Sequence, residues 1–425
     1  MPARKLNVLD LFLITFILMY YGRLSVVLFI PQYAIDYHIP SIYYSLHFAM
    51  VSVGSAISNI VLIFLLRRAN TRTIFIIIGF VSALYEILLY LSPTPGALLI
   101  AGLLIGLAAG CFWTLTFLVV CEIIDTHGIQ TTYAMSKYNV ITTIMGALTP
   151  LAAGIIVHFF GYGIWLLSAL AFLVISTVII FALKDPVYYK IYDKYPIKED
   201  LKNVFKDKRM LVTFLLVMLF STLTMNTWSS LSRVFYTNVG IRDYWLGLLA
   251  LIVSAVTIVV YYMLARWRFT TRRIIATLGI VVFGAEIGLL MFTSNPVLVF
   301  ILEGLVGTAG VAAVGFATQN IIKNTFRERT YVGRPIFATG MYIANAIWFA
   351  VCGYIIAYNG GYEAIGSVLG VTVDQYGLRI LMLLMAAISI LWAASMWLFE
   401  RRMVDDADTT AKAGKGNNPK STETA

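Results

Sequence analysis

Along most of this chain apolar residues do not alternate with polar ones. They run on for about twenty residues at a time, and such runs recur from residue 8 to residue 400. A run of that length matches a helix crossing hydrocarbon. A barrel strand would be about half as long and would alternate. In lipid every backbone polar group needs a partner within the chain, so the runs are read as helices. Twelve fit, over 8–31, 45–66, 74–92, 97–121, 134–158, 161–183, 211–235, 245–265, 274–293, 296–321, 336–358 and 376–400. Polar positions fall mainly in short connections. Two are long: 184–210, between spans six and seven, and 403–425, a Thr-, Lys-, Asn- and Gly-rich tail expected to be disordered.

The polar connections carry a sidedness signal. With the N-terminus inside and the side alternating at each span, 31 lysines and arginines sort almost completely. Only Arg23, Arg233, Arg242 and Arg379 fall outside the inner set. This predicts a multi-pass protein of the plasma membrane with both termini cytoplasmic. An odd span count would scramble the separation. Ile197–Met210, in the long inner connection, reads as a short amphipathic surface helix.

One stretch occurs twice. Residues 68–89 align without gaps on 268–289, with nine identical pairs: Arg68/Arg268, Thr71/Thr271, Arg72/Arg272, Ile74/Ile274, Gly79/Gly279, Val81/Val281, Glu86/Glu286, Ile87/Ile287 and Leu89/Leu289. Each copy is a basic turn followed by an apolar helix. Two halves related as parallel repeats are a feature of membrane transporters. The reading divides the chain into an N-terminal six-helix bundle (1–183), an inner connection (184–210), a C-terminal six-helix bundle (211–402) and a tail (403–425).

Composition narrows the function. At 60% hydrophobic and 12% charged, the 425-residue chain leaves no sizeable soluble domain. The net charge of +10 is spread through membrane-flanking turns, so nucleic acid is not expected as a partner. Cys111, Cys121 and Cys352 all sit in apolar runs, with neither a disulfide framework nor metal spacing. Tyr20, Tyr21 and Arg23 follow the first apolar run where a signal peptide would have a small-residue cleavage site. The four histidines are scattered and no phosphate-binding loop is present, so neither an enzyme nor a cofactor is expected.

Twelve spans in two halves, a long central connection and a basic turn after spans two and eight resemble the major facilitator superfamily, over about residues 5–402. The family's turn reads roughly Gly-x-x-x-Asp-Arg-x-Gly-Arg-Arg. Here Arg68, Arg72, Arg268 and Arg272 remain, while the Gly and Asp are absent from both copies. The resemblance implies gating turns at these arginines, although membrane anchoring would also account for them. The fourth-span Arg of the family is replaced by Gly102, four residues before Gly106. The matching place in the second half is Glu303, before Gly307. Gly146–Gly154, with Pro150, loosely resembles the family's Gly-Pro motif in span five, and close packing through small residues reads it equally well. The sugar-porter and peptide-transporter signatures are absent.

Arg23 stands in Tyr20-Tyr21-Gly22-Arg23, eight residues before Pro31. It lies roughly 23 Å along the first span at 1.5 Å per residue, within hydrocarbon. A charge there costs at least ~2.5 kcal/mol, so it needs a partner or a watery cavity. The pattern resembles span one of the organophosphate and anion–cation symporter branches, whose arginine binds the substrate's anionic group. A guanidinium fork suits that task, and a structural Arg paired with a neighbouring helix is the alternative. Those branches place a second cation in span seven. Arg233 is the nearest here, though its position near the span end reads as an interfacial anchor.

Glu303 lies in span ten, which with spans one, four and seven lines the cavity in this family. A carboxyl group removed from water takes up a proton more readily, which is what proton coupling needs. Glu86 and Glu286, at matching places in spans three and nine, read as shared structural groups. Candidate cavity walls are Tyr20, Tyr21, Trp113, Thr114, Thr116, Asn139, Thr143, Asn226, Trp228, Ser229, Gln319, Asn320, Asn345 and Trp348. Lys137 reads as an interface lysine.

The expectation is an all-α polytopic membrane protein with the major facilitator fold, in two pseudo-symmetric bundles. It would be a monomeric secondary active transporter moving a small organic anion by alternating access, with a proton as co-substrate and membrane lipids around it. A sugar importer or an exporter of multiple drugs or cationic solutes on the same scaffold stays open. So does a lipid transporter or scramblase.

Overall fold

The computed structural model describes residues 8–40, 42–127, 131–182, 206, 211–212, 214–266, 272–326, 330–362 and 364–415. Among these, ten helices are long and apolar enough to cross a membrane. One of them, Val140–Ala182, has 43 residues and carries two spans, because the backbone leaves helical geometry at Gly161 (φ 76°). Ile274–Leu290 is a shorter apolar helix. The count is therefore the expected twelve. Span one is Val8–Asp36, span two Ile42–Arg68, span three Thr71–Leu91 and span four Pro95–His127. Spans five and six share Thr131–Ala182. Span seven is Phe214–Asn238, span eight Tyr244–Arg266, span nine Arg272–Leu290, span ten Pro296–Phe326, span eleven Thr330–Tyr358 and span twelve Tyr376–Lys415.

Two details depart from the sequence reading. Span twelve continues to Lys415, into the stretch expected to be a disordered tail. Its cause is visible in the chain: between Leu378 and Ala413 there is no Gly or Pro to stop a helix. Between spans eleven and twelve lies a hairpin, Gly366–Val368 paired antiparallel with Val371–Val373. Its two-residue turn places Leu369 and Gly370 at positive φ, as a tight hairpin demands. Most of the 184–210 connection lies outside the described residues, as does 416–425.

Span two packs on spans four and eleven, span one on the helix of spans five and six, and span nine on spans ten and twelve. The two most extensive contacts between the halves lie at the end of the bundle opposite the N-terminus, span two against eleven and span five against eight, and span one also meets span seven. Where spans five and eight meet, a Cβ on Gly247 would stand 2.5 Å from Leu151 Cα. Only glycine lets these two backbones meet.

The hydrophobic interior has the same asymmetry. One core runs across both halves at that far end, through Phe29, Phe48, Trp165, Trp228 and Phe349, and continues down the second half to Trp392, which donates to Leu216 O. A second core, from Leu9 to Tyr21 with Phe75, Phe112 and Leu173, stays within the first half near the N-terminal end. Around the outside, Phe64, Phe80, Phe181, Ile347 and Leu391 are largely exposed. So much exposed apolar surface faces lipid rather than water.

Candidate functional site

Spans seven and ten both leave α-helical geometry along part of their length. Span seven contains two π-helical segments, Phe214–Leu219 and Thr222–Asn226, and span ten contains Leu302–Gly307. A π turn frees backbone carbonyls, and in both spans a threonine just after it answers one. Thr227 Oγ1 donates to Thr222 O at 2.8 Å, and Thr308 Oγ1 donates to Glu303 O at 2.7 Å. Such turns recur at functional sites, and broken helices surround transporter binding sites.

The bulges bring chemistry together. Trp228 Nε1 donates to Glu303 Oε2 at 3.0 Å. A cavity of about 170 Å³ opens beside this pair, lined by Leu28 and Phe29 of span one, Pro150 of span five, Ser229, Ser232, Arg233 and Tyr236 of span seven, the apolar face of span eight, and Glu303. Arg233 reaches across it, and its Nη1 donates to Leu28 O of span one at 2.6 Å. This corrects the reading of Arg233 as an interfacial anchor. The side chain turns inward because a span-one carbonyl and the Glu303 carboxylate both lie on that side.

Glu286 of span nine is fully buried and packs on the π segment that carries Glu303. Neither of its carboxyl oxygens has a hydrogen bond of ordinary geometry. Gly307 makes room for it: a Cβ there would come 2.7 Å from Glu286 Cδ.

Arg23 in the first half is 2% exposed, with its guanidinium stacked 4.1 Å from the Phe112 ring centre. Tyr342 of span eleven, Cys111, Glu86 and Tyr20 are the polar groups around it. Its Nε and Nη1 have no hydrogen-bond acceptor, and neither oxygen of Glu86 has a donor. Tyr20 lies one turn before Arg23 on the same face of span one. Its ring meets Trp113 edge-on at 5.8 Å, and Phe16 joins the cluster. Tyr21 points the other way, toward Ser168 and Phe172 of span six, outside this grouping.

The other sequence candidates fall as follows. Asn226 ends the second π segment of span seven. Asn345 and Trp348 of span eleven are inward, with Asn345 Oδ1 and Trp348 Nε1 buried and unpaired. Arg68 is exposed, and Arg72 lies 4.9 Å from the Phe181 ring centre. Arg268 lies outside the described residues, as do the side chains of Asn139, Arg272, Gln319 and Asn320. Lys137 pairs with Asp10 of span one.

Sequence reasoning missed a polar cluster at the far end. Arg242 pairs with Asp36, which also accepts from Tyr162 Oη at 2.6 Å. Asp243 is bonded by Gln32 and by His158. These contacts fasten the loop between spans seven and eight to spans one and five. Tyr236 and Ser232 were missed as well, although Tyr236 follows Arg233 by three residues and therefore shares its face.

A family profile described as Major Facilitator Superfamily matches residues 11–355. No curated protein matches the sequence. Solved structures share the fold: a point mutant of the nucleoside transporter NupG (TM-score 0.73, 14% identity, covering 92% of this chain and 100% of that one) and NupG itself (0.71, 13%, 93% and 98%). A D-xylose-proton symporter is similar at TM-score 0.71 and 11% identity, over 92% of this chain and 97% of that one. At these identities the likeness is one of fold.

Proposed function

Because this chain belongs to the major facilitator superfamily and is a transporter of small solutes, we propose that its cargo is a small organic anion held by Arg23 and Arg233. The observation that carries this reading is Arg23, fully out of water with two guanidinium donors unanswered. An unpaired charge in such a place is costly. A carboxylate or phosphate oxygen arriving at the guanidinium would answer a donor that the fold leaves open. Arg233 supplies the second cation from span seven, in the wall of the cavity. This agrees with the resemblance of span one to the organophosphate and anion–cation symporter branches. The 170 Å³ cavity, whose wall includes Arg233 but not the buried Arg23, is smaller than the ~300–1,000 Å³ of drug-sized sites and suits a small cargo.

Transport follows from the two halves rocking about this midplane site. If the basic turns mark the inside, the far-end cluster of Asp36, Arg242 and Asp243 lies outside and holds the outer entrance shut in this conformation. Both termini are then cytoplasmic, and the plasma membrane is the proposed location. Glu303 takes the coupling proton. Arg233 neutralises Glu303 in the empty site, and an anion competing for Arg233 leaves Glu303 to be neutralised by a proton instead.

A neutral polyhydroxylated cargo is the second reading, by analogy with the nucleoside and D-xylose transporters that share the fold. It draws on the balance of Arg233 by Glu303 and on the hydroxyls of Ser229, Ser232 and Tyr236 in the cavity wall. Uptake into proteoliposomes by wild type and Arg23→Lys separates the two. Lysine keeps the charge and loses the fork, so carboxylate or phosphate-monoester uptake should fall at least about tenfold, one good hydrogen bond to charge. Uptake of a sugar or nucleoside, unchanged by the substitution, would favour the second reading.

A further inference from the structure

The 200-residue repeat places Glu86 and Glu286 at equivalent points of the two halves. Their surroundings differ. Glu86 has the Arg23 guanidinium nearby, whereas Glu286 has another carboxyl group. A purely structural role would have either carboxylate bonded to the helices around it, and no carboxyl oxygen of Glu86 or Glu286 has a hydrogen bond of ordinary geometry. Glu286 is fully buried against Gly307, one turn after Glu303, and Glu303 lines the cavity and accepts from Trp228.

We propose that Glu286 and Glu303 form a single proton-binding carboxyl pair, in which Glu303 exchanges the proton with the cavity and Glu286 shares it from behind. The inference rests on the reading of Glu303 as the coupling group. Two carboxylates this close and out of water repel strongly. One proton held between them converts the repulsion into a hydrogen bond from one carboxyl O–H to the other's oxygen. The charged and titratable groups facing the pair are Arg233 and Tyr236 of span seven, with Tyr20 beyond Arg233. Span eight meets the bulge at Gly304 with Leu249 and Ile252, and span twelve meets span nine at Gly284 with Ser389, neither adding charge there. Among the described residues only Arg233 can offset the pair's negative charge, and it is also the group an anionic cargo would draw away. Cargo binding then retains the proton on the pair. Cargo release returns Arg233 to Glu303 and sends the proton back through the cavity.

The test reads carboxyl protonation directly. Infrared spectra of the purified full-length protein are recorded against pH for wild type, Glu286→Gln, Glu303→Gln and Trp228→Phe, following the C=O stretch of protonated carboxyl groups. The pair predicts that either Gln substitution moves the titration midpoint of the remaining glutamate by more than about one pH unit, the signature of coupled sites. Trp228→Phe, which keeps the ring and removes the donor, should shift the same band. Independent titration of the two glutamates overturns the proposal. So does a band that responds to sodium at fixed pH, which would make this a metal-cation site. The outcome stands apart from the transport reading. A coupled pair in a protein whose uptake ignores the proton gradient would refute coupling and keep the pair. Proton-driven uptake with unchanged proton stoichiometry in Glu286→Gln would keep coupling and refute the pair's part in it.

Discussion

Gly247→Ala should loosen the closed end of the protein. A Cβ at this position would stand 2.5 Å from Leu151 Cα, 2.9 Å from Pro150 O and 3.0 Å from Leu151 N. All three atoms are backbone, so no side chain can swing away. Carbon atoms settle about 3.5–4.0 Å apart, so spans five and eight must separate by roughly 1 Å. Overpacking of this kind costs about 1–3 kcal/mol. The cost falls on the state in which the two helices touch, so the equilibrium should move toward the opened far end by about 5–150-fold. Spin labels at Leu91 and Ile365, both exposed at that end and on opposite halves, would report it as a longer inter-label distance. Gly288→Ala is the control, because a Cβ there meets nothing within 4 Å. An unchanged distance distribution in Gly247→Ala would refute the claim that this contact holds the far end shut, even if the unfolding midpoint fell.

Arg379→Met should be among the most destabilising single substitutions. The guanidinium is fully buried, bonds the carbonyls of Leu290, Met291 and Thr293 that finish span nine, and pairs with Asp374. Losing a buried charge with that many acceptors should cost about 3–5 kcal/mol, measured by thermal unfolding in detergent. Arg242→Gln should cost far less. Its pair with Asp36 is one-third to two-fifths exposed, so about 0.2–1 kcal/mol is expected, shrinking as salt is added. Asp243→Asn should open the far end more than Arg242→Gln does, since Asp243 joins span one and span five through Gln32 and His158. The spin-label distance would rank the two.

The span pattern was legible because it is a local property: twenty apolar residues between polar turns require nothing from elsewhere in the chain. Arg23 was legible for the same reason, as a charge at a depth where lipid tolerates none without purpose. Arg233 was not. Counting residues places it near the end of span seven, while its inward turn depends on the carbonyl of Leu28 some two hundred residues earlier. The adjacency of Glu286 and Glu303 was hidden likewise. Each reads as a lone acid in its own span, and only the packing of span nine against Gly307 brings them together. The hairpin after span eleven left a faint signal, Val368-Leu369-Gly370-Val371, too short to outweigh its membrane-flanking surroundings. Tyr21 shows the opposite failure: its neighbour's chemistry made it look like a binding residue, and one helical step of 100° turned it toward span six.

The central claim is that Arg23 takes the anionic group of the cargo. A thermal-shift screen of purified wild type and Arg23→Gln against carboxylates, phosphate monoesters, sugars, nucleosides and cationic drugs tests it most directly. A ligand that binds only the folded protein raises the unfolding midpoint by mass action. The account predicts that a carboxylate or phosphate stabilises wild type and leaves Arg23→Gln unmoved. Equal stabilisation of both proteins by a neutral or cationic solute would contradict it and make Arg23 a structural residue.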